Sequence, residues 1–173
     1  MSANERERLQ PIVDGVRQRL PNAVLSEEDS YGDLVLVVDR KQSHDVLKDL
    51  REQGFDLLLD IAGVDLLKLE HTERFELVYN LYSFGKDLRI RVKVSVPEDQ
   101  LTVSSVTDIW HAANWAEREA YDMFGFNFEG HPNLSRILCH HEFVGHALRK
   151  DYPVMKGQWA TGSVDLMEDL ERE

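Results

Sequence analysis

Phe75-Glu-Leu-Val-Tyr-Asn-Leu-Tyr-Ser83, followed four residues later by Leu88-Arg-Ile-Arg-Val-Lys-Val-Ser-Val96, decides the fold of this chain. Phe75, Leu77, Tyr79 and Leu81 alternate with Glu76, Val78, Asn80 and Tyr82. Leu88, Ile90, Val92, Val94 and Val96 alternate with Arg89, Arg91, Lys93 and Ser95. A strand puts successive side chains on opposite faces, so period-two alternation predicts two strands with one face buried. Gly85-Lys86-Asp87 between them predicts an antiparallel hairpin, and Pro97 ends it. Arg89, Arg91 and Lys93 then form a cationic stripe on the other face, read as a solvated surface with a protein interface as the alternative.

Upstream, Leu9, Ile12, Val13, Val16 and Leu20 fall at helical spacing, predicting a helix over 5–20 with Pro21 just past its end. Pro11 inside that span would move the start towards Gln10. The unbroken apolar run Leu34–Val38 predicts a buried strand. Ser43 is placed to cap a helix through Val46, Leu47 and Leu50 to Gln53, closed by Gly54. Leu57–Ile61 predicts another strand. Downstream, Ser105 with Asp108 three residues on has capping-box spacing and predicts a helix carrying Ile109, Trp110 and Ala113. Asn114 would cap a second helix ending at Gly125, with Glu117 and Glu119 opposing the helix dipole in its first turns. The order αβαβββαα predicts an α+β fold, a mixed or antiparallel sheet covered by helices. Residues 1–125 form the expected domain, and 126–173 an extended, partner-binding tail.

That tail lacks helical or strand periodicity, and a long irregular segment is expected only where it is functional or held by a partner. The chain of 173 residues has formal net charge -12. From His131 to Pro153, Arg136, Arg149 and Lys150 face only Glu142 and Asp151, with four histidines. The tail is thus a locally basic strip on an acidic body. So acidic a body argues against nucleic acid or an anionic membrane surface as main partner. One cysteine, Cys139, can neither form an internal disulfide nor alone hold an iron–sulfur cluster or structural zinc, and fits a reducing cytosol. No apolar run approaches the ~20 residues that span a bilayer, so direct membrane insertion is not expected.

The chemical groups are weighed on geometry. Glu117 and Glu119 lie two apart on a helix and point away from each other, so they do not make a carboxylate pair for acid–base work. Arg118 and Asp122, four apart, are expected to pair locally. His131, Cys139, His140, His141 and His146 could suggest a metal, but they lack two short-spaced ligand pairs on rigid elements. No phosphate-cradling, dinucleotide or nucleophile-elbow motif occurs. No catalytic, cofactor-binding or metal-ligating residue is therefore assigned.

The run Trp115-Ala-Glu117-Arg118-Glu119-Ala-Tyr121-Asp122-Met-Phe124-Gly125, continued to Leu138 and followed by Gly145-His146-Ala-Leu148-Arg149-Lys150-Asp151-Tyr152-Pro153, resembles the signature of the thirty-kilodalton (C-type) subunit family of respiratory complex I, proton-translocating NADH:quinone oxidoreductase. The run Leu58–Asp65, the hairpin and Asp108–Trp115 are similar to this family in order and spacing. The resemblance spans roughly 57–153, and the first fifty residues agree only in pattern. Ala147 stands where the family pattern has proline. The resemblance implies a cofactor-free structural subunit of the peripheral arm, on the cytoplasmic face of the bacterial inner membrane. FMN and iron–sulfur clusters would lie in partner subunits, and electrons would pass from NADH to quinone. Its tail would run over the D-subunit homologue, beside the B-subunit homologue. The expected interface comprises Phe124, Phe126, Phe128, Gly130, His131 and Pro132, then Arg136, then Gly145, His146 and Leu148 to Pro153. The rivals are a subunit of a related membrane-bound hydrogenase or ferredoxin-linked complex, a histidine-based metallohydrolase, and an RNA-binding module.

Overall fold

A computed structural model describes residues 3–69 and 73–153. The predicted hairpin forms its centre. Strands β4 (Phe75–Ser83) and β5 (Leu88–Val96) pair antiparallel from Phe75↔Val96 to Ser83↔Leu88. Their alternation is realised residue by residue: Phe75, Leu77, Tyr79, Leu81, Ile90, Val92, Val94 and Val96 are all buried on one face. Strand β3 (Leu57–Asp65) adds antiparallel to β4, with a bulge between Leu58 and Asp60. Strand β2 (Asp33–Val38) adds parallel to β5, and β1 (Val24–Ser30) antiparallel to β2. The five-stranded sheet thus reads β1-β2-β5-β4-β3 and is mixed, as expected.

Helices α1 (Ala3–Arg19) and α2 (Ser43–Glu52) supply Leu9, Ile12, Val13, Val16, Val46, Leu47 and Leu50 to one continuous core with the sheet's buried face. Helix α1 runs through Pro11 from Ala3 rather than starting near Gln10. A proline inside a helix removes one backbone donor, and the apolar stripe on both sides of it outweighs that loss. Ser43 does not cap α2. It is the helix's first residue, its hydroxyl donating to Arg40 O at 2.8 Å. Asp39 instead accepts from the Lys41 amide, capping a short 3-10 turn over Arg40–Gln42. Gly54, at φ +96°, follows α2 in the left-handed conformation as predicted.

Two expectations fail around residue 105. No helix starts there. A short strand β6 (Thr102–Ser104) pairs parallel with β7 (Asn127–Glu129), and turns lead to helix α3 (Ala113–Phe124). Asn114 is not the cap of α3: Ala112 holds that position, without a side-chain hydrogen bond. Strand β1 leaves no periodic signal in the sequence and adds to the predicted order. Helix α3 packs on β3, where a Cβ on Gly63 would stand 2.5 Å from the Phe124 ring. Only glycine admits the ring there. Arg91 and Lys93 lie on the face opposite the core, paired with Asp33 at 3.4 Å and Glu28 at 3.1 Å.

Candidate functional site

After Gly125 the backbone enters the core before it leaves it. Phe126 is 0% exposed, its ring edge-on to Phe75 and tilted against Phe124 and Phe128, and Phe128 is buried too. Their side chains have no surface to offer another protein, which corrects their assignment as partner contacts. From there to Pro153 the irregular segment returns across α3 as a strap, organised by one side chain of that helix.

That side chain is Asp122, 0% exposed. Its Oδ2 accepts three consecutive backbone N–H groups, from Ile137 at 3.0 Å, Leu138 at 2.8 Å and Cys139 at 2.8 Å. Its Oδ1 accepts from Arg136 at 2.5 Å. Burial would raise this carboxyl, but the three amides and the guanidinium outweigh burial and hold it at about 2. Arg136 also donates to Gly145 O at 2.9 Å, tying the strap's two halves together. Arg118 does not pair with Asp122. It donates to Ser135 O at 3.0 Å and Arg136 O at 3.1 Å, with its guanidinium 5.3 Å from the centre of the Trp115 ring.

The segment Gly145–Tyr152 serves as the C-terminal cap of α3. A helix leaves its last carbonyls without partners. Here His146 Nδ1 donates to Asp122 O at 3.0 Å, the Leu148 amide to Met123 O at 3.1 Å, and Arg149 Nε to Phe124 O at 2.6 Å. Gly125, at φ +87°, makes this possible: a Cβ there would stand 2.6 Å from His146 Nε2 and 2.7 Å from Arg149 Nη2. Burial pushes the His146 imidazole below its ordinary value, and Arg149 and Arg136 push it further. Tyr121 meets the His146 ring edge-on.

A second buried carboxylate holds the strap's far end. Asp65, at the end of β3, accepts from Arg74 at 3.0 and 3.2 Å and from the Lys150 amide at 2.8 Å. Arg74 also reaches Glu98, and Asp151 at 2.7 Å. Burial opposes ionisation of Asp65, and Arg74 with the backbone donors holds its pKa below the ordinary value. Arg149 and Arg74 both lie over the Phe75 ring. Sequence reasoning misses Asp65 and Arg74 at this site; nothing in their spacing marks a pair that forms only after the strap has crossed α3. Tyr152 stacks on Phe143, and Gly145 passes so close that a Cβ would lie 2.8 Å from the Tyr152 ring.

Of the remaining expected contacts, His131 bonds to Asn114 O and the Asn133 amide, while Gly130 and Pro132 lie at the surface. Glu119, Leu148, Lys150 and Pro153 are exposed too. Outward from the strap and α3 stand Trp115, Leu138, Val144 and Leu148, 64, 63, 67 and 51% exposed. Leu138 and Val144 carry no periodic signal that would single them out. Among the described residues no three His, Cys, Asp or Glu side chains converge as a metal set. Glu117 is also misplaced by sequence reasoning. Expected to oppose the helix dipole in the first turns, it is instead wholly buried, accepting from Ser105 Oγ and the Val106 amide, each at 2.7 Å. The turn-forming hydroxyl of Ser105 is thereby engaged by α3, which accounts for the missing helix. Residues 154–173, the remainder of the expected partner-binding tail, lie outside the described residues.

These features define an α+β protein whose signature residues build a strap on the end of a helix. The chain belongs to the family described as respiratory-chain NADH dehydrogenase, 30 Kd subunit, whose model matches residues 36–158. It is 42% identical over 140 residues to the C subunit of NADH-quinone oxidoreductase from Citrifermentans bemidjiense, covering 80% of this chain and 86% of that one. It is 45% identical over 138 residues to the C/D subunit from Bdellovibrio bacteriovorus, covering 79% of this chain and 24% of that longer one. An archaeal membrane-bound sulfane sulfur reductase complex holds a polypeptide with TM-score 0.72 and 27% identity, aligned over 94% of this chain and 92% of that one.

Proposed function

We propose that this chain is a non-catalytic, cofactor-free assembly subunit of the peripheral arm of a proton-translocating NADH:quinone oxidoreductase, and that the strap is where it joins the complex. FMN and the iron–sulfur clusters belong to partner subunits in this reading. The chain itself sits on the cytoplasmic face of the bacterial inner membrane, against the D-subunit and B-subunit homologues that form the quinone site. The observation that carries it is the strap. Arg136, His146, Arg149 and the amides of Ile137, Leu138, Cys139 and Lys150 are turned inward onto Asp122, Asp65 and the α3 carbonyls, while the side chains of Leu138, Val144 and Leu148, with Trp115 of α3, point out. Large apolar side chains left exposed on a well-bonded frame suit an interface. A relative that unites C and D in one polypeptide supports the D-subunit homologue as the neighbour. Among the described residues no helix is long and apolar enough to cross a membrane, which suits a peripheral position.

The strap's conformation is set within the chain, so the interface can be tested without breaking its frame. Leu138→Glu with Val144→Glu should leave the circular dichroism spectrum and thermal midpoint near wild type while the protein no longer co-purifies with the complex. Normal incorporation and normal quinone reductase activity would overturn the reading. The likeness to part of a sulfane sulfur reductase favours one second reading, a related respiratory membrane complex with another electron donor or acceptor. Purification with flavin- and NADH-binding subunits decides between them.

A further inference from the structure

We propose that Glu117 is a proton-binding site reached from solvent through the hydroxyls of Thr107 and Ser105. The carboxylate lies inside the core, and its hydrogen-bond donors among the described residues are neutral. Its Oε2 accepts from Ser105 Oγ at 2.7 Å, and Ser105 Oγ lies 2.9 Å from Thr107 Oγ1. Ser105 and Thr107 line a cleft of about 290 Å³ with His44, Asp108 and Glu129, so the hydroxyl chain runs from an open surface to the buried acid. His44, from α2, stands at the cleft with Nε2 3.0 Å from Asp108. On the other side, Tyr79 of β4 is fully buried and its hydroxyl has no hydrogen-bond partner among the described residues.

A proton arriving at Thr107 Oγ1 releases that hydroxyl's own proton to Ser105 Oγ. Ser105 in turn passes its proton to Glu117 Oε2. Both hydroxyls are restored and one carboxylate becomes a carboxyl. The reverse transfer discharges it to the cleft.

The surrounding groups favour uptake near neutrality. Burial raises the Glu117 carboxyl to about 7, against the Val106 and Ser105 hydrogen bonds that favour the ionised form. Asp108 raises it further and His44 lowers it. Tyr79 feels the same carboxylate, which together with burial pushes its phenol well above the ordinary range. Protonation also weakens the acceptor held by the Val106 amide. The turn joining β6 to α3 therefore responds to the proton.

The test follows glutamate carboxyl resonances of the ¹³C-labelled full chain from pH 5 to 9. One glutamate should titrate near 7 instead of the ordinary ~4.3, and it should vanish in Glu117→Gln. If that variant does not fold, Ser105→Ala makes the assignment: loss of the donor must move the neutral midpoint upward. Thr107→Val should keep the midpoint and slow exchange of the carboxyl proton at least ~10-fold, the rate equivalent of about 1.4 kcal/mol. A set of glutamates all titrating below pH ~5.5, or a neutral midpoint that Glu117→Gln or Ser105→Ala leaves in place, overturns the site. Unslowed exchange in Thr107→Val overturns the route.

Discussion

Replacing Asp122 with asparagine tests the strap directly. The carboxylate is buried, and its pKa of about 2 lies below the ordinary 3.8. A folded-state pKa depressed in this way contributes stability that is present above the unfolded pKa and lost as pH falls through the folded one. The difference of nearly two units is worth about 2.5 kcal/mol at pH 7, since each unit is about 1.4 kcal/mol. Asparagine keeps one acceptor oxygen but turns an N–H₂ group towards either the three amides or the Arg136 guanidinium. The expected loss is thus about 2–4 kcal/mol, overlapping the roughly 3–5 kcal/mol for breaking a buried ion pair. It should fall on the strap rather than on the sheet, whose core does not include Asp122. Amide hydrogen exchange separates the two. Protection of the Ile137, Leu138 and Cys139 amides should drop by roughly 50-fold or more at pH 7, while Tyr79 and Val92 on the central hairpin stay protected. Wild-type protein should lose the same strap protection on acidification from pH ~4 towards ~2. Unchanged protection of those three amides in Asp122→Asn, within about threefold, would refute the claim that this carboxylate organises the segment.

The other expectations concern neighbouring parts of the same frame. Arg74→Met should leave buried Asp65 without its ion partner, cost about 3–5 kcal/mol and lower the thermal midpoint by roughly 10 °C, read by calorimetry. Gly125→Ala, forced to φ +87° with its Cβ against His146, should cost about 1–3 kcal/mol in urea denaturation. Glu117, whose folded pKa is raised, should contribute less stability as pH climbs from 4.5 to about 7, a decline of roughly 3 kcal/mol that Glu117→Gln abolishes in urea titrations at several pH values. Ala147→Pro should stabilise the strap by about 0.4–1 kcal/mol through reduced freedom of the unfolded chain, seen as slower proteolysis after Arg149.

The hairpin was legible because burial on one face leaves a period-two trace that no other element produces. Helix α1 was legible for the matching reason at period 3.6. Strand β1 was not: Val24-Leu-Ser-Glu-Glu-Asp-Ser30 is an edge strand, mostly exposed and acidic, and carries no alternation. Ser105 and Asp108 imitate a helix start, and only the distant Glu117 reveals that the hydroxyl is already engaged. The strap shows the limit most clearly. Its irregularity was readable, and so were the signature residues that build it. What was not readable is that Asp122, Asp65 and Arg74 give it shape from within. Arg149, read as a charge for a partner, donates instead to the end of α3. Such contacts join residues with no periodic relation, so propensity and pattern are silent about them.

The parallel pairing of β2 with β5 also governs how the molecule is made. Strands β3, β4 and β5 follow one another and can zip together as they leave the ribosome, whereas Val35 must wait for Arg91 to be synthesised. Until then α1, β1 and β2 have half a core and an open apolar border. Synthesis therefore passes through an interval in which the amino-terminal third is exposed to aggregation, and a chaperone that shelters it should raise yield more than one acting on the finished protein.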